Sequence, residues 1–173
     1  MNAARRTEIR AARALALLAS LAAALLLAAG CGDDEDDLET LNLVSDPDEE
    51  VFEVVDLGDR GRSVGDIFVF EGPMLDRDSE EVVGHAYGTQ TSLSLDDESQ
   101  IVQATITYEL DDGDQILVGG TAEYPAEGDG LVEGEEYVRP ILGGTGDYAG
   151  ADGSLTTVRQ PDGSYEQTFE FGE

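Results

Sequence analysis

The stretch Gly143-Gly144-Thr145-Gly146-Asp147-Tyr148-Ala149-Gly150-Ala151-Asp152-Gly153 decides how the chain is read. Glycine reaches positive φ at no steric cost, so a run this rich in it marks a tight connection between two strands. Glycine-rich loops also cradle phosphates, but that use needs a helix N-terminus behind the loop. No helical pattern follows Gly153, and Asp147 and Asp152 would repel a phosphate. Nucleotide binding is therefore excluded.

Outward from this loop, short runs rich in Val, Ile, Thr, Tyr and Phe alternate with turn signals. They predict strands over 51–57, 63–72, 80–94, 99–110, 114–124, 135–142, 153–159 and 164–171. Asp112-Gly113 and Pro161-Asp162-Gly163 mark tight turns. No helix period appears after the N-terminal apolar run. Eight short antiparallel strands suit a closed barrel or a sandwich, and closure removes exposed edges. The run Val64-Gly65-Asp66-Ile67-Phe68-Val69-Phe70 is apolar on both faces, which predicts a strand covered inside and outside. Over 82–90 one face carries Val82, Gly84, Ala86, Gly88 and Gln90, and the other Val83, His85, Tyr87 and Thr89. An inward small face would leave empty volume in the barrel. Gly84 and Gly88 read equally well as bends or close packing.

The N-terminus reads as an export signal. Arg5, Arg6, Arg10 and Arg13 precede an apolar run, Ala14 to Ala29, that closes on Gly30 and the single cysteine, Cys31. Sixteen apolar or small residues are short for a membrane span, which needs about 20. A cysteine just after small residues resembles the lipobox of bacterial lipoproteins. In that family the signal is cut before the cysteine, which then carries acyl chains. The resemblance implies a signal peptide over 1–30 and lipidation at Cys31. It also implies an exported protein, anchored through acyl chains to the outer side of the cytoplasmic membrane or to the cell envelope. Residues 31–50 are acidic and lack aromatics; they are expected to form a disordered tether ahead of a barrel domain over 51–173. Asp33, Asp34, Asp36 and Asp37 lack the spacing and turn glycine of a calcium loop, so no metal site is expected there.

The formal net charge is −30. The first 30 residues hold four Arg and one Glu, so the remainder carries about −33, with no Lys. Such a chain does not bind nucleic acid by counterion release. Anionic headgroups repel it too, so the acyl chains must supply the attachment. The acids run along the whole mature sequence, which fits adaptation to high salt better than a localised cation site.

The glycine-rich stretch also resembles the allene oxide cyclase and dirigent superfamily, where a GGTG-x-[YF]-x-G-A-x-G run precedes the last two strands. Other blocks agree in order: Gly65-Asp66 followed by Phe70 and Leu75, then Val83-Gly84-His85-Ala86-Tyr87-Gly88. Tyr108 to Gly113 with Val118-Gly119-Gly120 completes the set. The resemblance spans about residues 51–171. It implies an all-β fold, an eight-stranded antiparallel β-barrel with an apolar cavity, a homotrimer, and no metal or redox cofactor. A first-strand glutamate acts in the plant cyclases, and Glu53 matches it. Their partner residues are not matched: Val55 stands for an asparagine, Gln90 falls near a cysteine, and Ala122 stands for a tyrosine, with Tyr124 close by.

The catalytic candidate is thus Glu53, and the ligand-binding candidates are Phe68, Phe70, Gln90, Tyr108 and Tyr124. His85, the one histidine, is expected on an outer face, and Arg139 is expected to pair with nearby acids such as Glu136. Three readings stay open. The first is a lipid-anchored barrel binding a small apolar or aromatic molecule. The second is a cofactor-free cyclase or isomerase using the same cavity. The third is a structural surface protein whose barrel is filled by residues such as Phe68, Phe70, Ile106 and Phe169.

Overall fold

The computed structural model describes residues 40–58, 60–126 and 130–172. The expected export signal over 1–30, Cys31 and the expected tether up to residue 39 lie outside the described residues. Nine strands follow in order: β1 (Leu41–Ser45), β2 (Val51–Val55), β3 (Ile67–Asp76), β4 (Val82–Leu95), β5 (Ser99–Leu110), β6 (Gln115–Pro125), β7 (Glu136–Gly144), β8 (Gly153–Arg159) and β9 (Tyr165–Phe171). Strands β3 to β9 form an antiparallel meander in which each pairs with the next. β1 closes the ring, pairing with β9 from Leu41↔Phe169 to Val44↔Glu166 and with β3 from Leu43↔Asp76 to Ser45↔Met74. β2 runs along the rest of the same β3 edge, from Val51↔Glu71 to Val55↔Ile67. β1 and β2 thus act as one barrel strand broken at 46–50, and the barrel has eight strands.

The closing strand corrects the expected tether, which was read as reaching residue 50. Leu43 is fully buried, and Ser45 Oγ accepts a hydrogen bond from the Tyr165 amide at 2.9 Å. The strand breaks where Asp46 forms a local turn, its carboxylate accepting from the Asp48 amide. Pro47 in that turn has no N–H to give a ladder.

The deciding glycine-rich stretch is indeed a connection. It runs from the end of β7 through one 3-10 turn, Gly146–Tyr148, to the start of β8. Gly146 has φ +58°, and a Cβ there would collide with the Asp114 carboxylate. That carboxylate instead accepts from the Asp147 amide at 2.8 Å. The loop is therefore tied to the β5–β6 hairpin end, which is why glycine is needed at this point.

Strand alternation sets what faces inward. On β5, Gln100, Val102, Ala104, Ile106 and Tyr108 are buried. The main core joins Leu43, Met74, Ile106, Tyr108, Leu155 and Phe169 with neighbours from β6 and β7. A second cluster joins Val102, Tyr124, Leu131 and Tyr137. The outer cover expected for the doubly apolar strand is not found among the described residues, where Val69 is 41% exposed.

One seam is open. The β6–β7 ladder holds only Ile116–Val118 against Ile141–Gly144, with a register shift at Leu117/Val118. Beyond it Pro140 has no N–H to donate. There the strands are bridged by side chains: the Tyr124 and Tyr137 rings meet edge-on at 5.4 Å.

Candidate functional site: an open cavity in the barrel

The barrel interior is not filled. A cavity of about 630 Å³ runs between the two core clusters and opens beside β2. That volume lies within the usual range for small-molecule sites, about 300–1,000 Å³. Its apolar wall includes Phe52, Phe68, Phe70, Val102 and Ile106. The small face of β4 points inward, and Ala86 and Gln90 line the space. Gly88 lies under the Phe70 ring, which would collide with any Cβ there.

All five ligand-binding candidates, Phe68, Phe70, Gln90, Tyr108 and Tyr124, lie on the cavity wall. Glu53 does not. On β2 the alternate residues Phe52 and Val54 line the cavity. Glu53 falls instead in a shallow outer groove with Val69, Tyr87 and Thr105. A Glu53 acting inside the barrel is therefore corrected: a strand places neighbouring side chains on opposite faces. His85 sits on the outer face as expected, its ring 4.7 Å from that of Tyr87.

Of the polar wall residues that were missed, two matter most. The first is Glu50, in the break between β1 and β2, which lines the cavity. Burial pushes its carboxyl pKa up. The second is Arg139, which the alternation of β7 turns inward with Tyr137 while Glu136 stays outside. The expected Arg139–Glu136 pair is thereby corrected, since residues three apart on a strand face opposite ways. Arg139 is 3% exposed. It donates from Nη2 to the Tyr124 hydroxyl, and its guanidinium carbon lies 5.7 Å from the centre of that ring. Its Nε is buried with no hydrogen-bond partner.

The phenols complete the polar wall. Tyr108 donates to Gln167 Oε1 at 2.9 Å, and Thr157 Oγ1 donates to the same oxygen at 3.0 Å. Burial pushes both the Tyr108 and Tyr124 phenols up, partly opposed by the Arg139 charge. Both stay neutral near pH 7. At the rim, Asp66 accepts from the Leu57 amide (2.9 Å), the Ser63 amide (2.7 Å) and the Ser63 hydroxyl (3.0 Å). These bonds, the Leu57 amide foremost, hold its pKa low. Its contribution to stability is present above the ordinary carboxylate pKa and lost as pH falls through the folded value.

Glu50 has the opposite sign. Its folded pKa is raised, so its contribution is present below the unfolded value and lost as pH rises through the folded one. Thermal midpoints of wild type and Glu50→Gln, compared from about pH 4 to 7, are expected to diverge, with the variant gaining as pH rises. Parallel curves would remove the burial of this carboxyl from the account.

No protein-family model and no curated protein matches the chain. Solved structures do. A pyocyanin demethylase is 24% identical, with a TM-score of 0.58, over 78% of this chain and 100% of its own. The Diels Alderase AbmU from Streptomyces koyangensis is 19% identical, with a TM-score of 0.61, over 80% of this chain and 65% of its own. The pterocarpan synthase dirigent protein PsPTS1 is 17% identical, with a TM-score of 0.53, over 77% of this chain and 92% of its own. The chain has the dirigent-like barrel fold. In this dirigent-like barrel, the walls described above are those of the interior, and β2 flanks its mouth: Phe52 lines the cavity yet remains 56% exposed.

Proposed function

We propose that the chain is an exported, lipid-anchored barrel that binds a small apolar or aromatic molecule in its cavity. The observation that carries this reading is the open interior, about 630 Å³ with aromatic walls, where a purely structural barrel would be filled. The anchor is Cys31, and acyl mass on that residue in the intact mature protein is its test. Exposed Val69 and Tyr87 on β3 and β4, and Val138 and Leu142 on β7, support outer surfaces that pack against further copies, as in a homotrimer. The solution mass by light scattering decides that point.

Substitution inside the cavity tests the binding reading. Ala86 lies where the main core meets the cavity, so Ala86→Phe directs a ring into the cavity space. It is expected to weaken uptake of a neutral fluorescent probe such as N-phenyl-1-naphthylamine at least about tenfold, roughly 1.4 kcal/mol, in a variant that circular dichroism shows to be folded. Unchanged uptake would place the probe, and the function, elsewhere.

A second reading, a cofactor-free cyclase or isomerase, is favoured by one observation: Glu50, an acid with raised pKa, lies on the same wall as two neutral phenols. A carboxyl whose pKa is raised by burial is a candidate proton donor or acceptor. The Diels Alderase of like fold supports a cavity that works by folding its substrate. Holding a reactive chain in a near-attack shape is worth roughly 7–11 kcal/mol. Ring closure of a bound polyene, followed by mass-neutral product analysis, would separate this reading from simple binding.

A further inference from the structure

We propose that the molecule held in the cavity carries an anionic oxygen group, a carboxylate or a delocalised enolate, that docks on Arg139 and the Tyr124 hydroxyl. The inference deepens the binding reading above and rests on it. Arg139 is almost wholly buried and lines the cavity. Among the described residues the one ion pair is Arg77–Glu166, at the surface, so Arg139 has no carboxylate within ion-pair reach. Its sole hydrogen bond goes to a neutral phenol, and its Nε has none. A buried cation without an anion is costly, and proteins normally pair it.

Partners were not scarce. The chain holds 39 acids against nine Arg, yet none of the described ones forms an ion pair with this one. The unmatched charge lies where a ligand would. Tyr124 accepts from Arg139 and makes no other hydrogen bond among the described residues, so its own O–H is left to donate. Arginine and phenol thus present donors to one oxygen group, with an apolar body accommodated by Phe68, Phe70 and Ile106. Glu50 lies on the same wall, with its carboxyl pKa pushed up by burial. Of the other lining side chains, Tyr108, Gln167 and Thr157 are neutral and bonded to one another; the remaining charged groups on the wall are Asp56, Arg62 and Asp66, the last already held by the Leu57 and Ser63 amides.

The test uses the full chain purified from its host, in about 0.15 M salt so that the surface charge is screened beyond about 8 Å. Equilibrium dialysis compares 1-naphthaleneacetate with its neutral twin 1-naphthaleneacetamide. The acid is expected to bind at least about tenfold tighter, which is roughly 1.4 kcal/mol. Arg139→Met is expected to abolish that preference while amide binding persists, and Tyr124→Phe to reduce it. Should Arg139→Met fail to fold, the wild-type acid-to-amide ratio and Tyr124→Phe still decide. Equal binding of the two probes, or tighter binding of the amide, overturns the anionic site and leaves the cavity reading standing. Binding of neither overturns the cavity reading and this inference with it.

Discussion

A chain cut to begin at Val51 is expected not to fold. The cut removes β1, whose Leu43 is fully buried and whose backbone joins β3 to β9. Without it the ring opens along one seam and leaves the β9 edge unpaired, with a row of N–H and C=O groups exposed. β2 cannot substitute, because it pairs with a different part of β3 and has no partner on its other side among the described residues. Two further ties go with it: Ser45 Oγ to the Tyr165 amide, and Asn42 Oδ1 to the Thr168 hydroxyl. A urea titration followed by circular dichroism should show no cooperative transition for the cut chain, and one transition for a chain that begins at Thr40. A cut chain that melts with the wild-type midpoint would show that β1 does not close the barrel.

Phe169→Ala is expected to cost about 3–5 kcal/mol, the usual loss for a buried phenylalanine. Phe169 is fully buried in β9, opposite Leu41 and Leu155 in register. Its ring meets Tyr108 edge-on at 4.9 Å and Phe171 in a stacked pair at 6.3 Å. The substitution removes dispersion contacts in the main core and leaves a void that the rigid ladders on both sides cannot close. Typical domains hold only about 5–15 kcal/mol in reserve, so the urea midpoint should fall by a large fraction while the slope stays the same. A loss under about 1 kcal/mol would mean that the interior at this level is loose rather than packed, and that the cavity extends through it.

The sequence carried most of the fold. Strands β3 to β9 lie close to the predicted runs because each alternates or is continuously apolar between turn residues, and the glycine-rich stretch marks the β7–β8 connection. β1 was hidden because Leu41-Asn42-Leu43-Val44-Ser45 is short and flanked by acidic residues on both sides. Its burial comes from pairing partners about 30 and more than 120 residues away, which no local window contains.

The site was legible on β4 to β6, where one face is clearly smaller or more polar than the other, and on β3 through its two phenylalanines. It failed where the two faces look alike or reversed. Val51-Phe52-Glu53-Val54-Val55 is apolar on both sides of Glu53, so nothing local fixes which way the carboxyl turns. On β7 the pattern is inverted: Val138 and Leu142 face outward and are more than half exposed, while Arg139 faces in. A rule that puts the apolar face inside therefore sends Arg139 to the surface. Glu50 was missed for a simpler reason, since it lies in the break that was read as tether.

Native mass spectrometry of the mature protein from its own host tests the central claim, that the barrel interior holds a small molecule. The account predicts a discrete added mass in the low hundreds of daltons, released on unfolding and absent from Ala86→Phe. A protein that is empty as isolated, and stays empty when offered fatty acids and phenols, would contradict it.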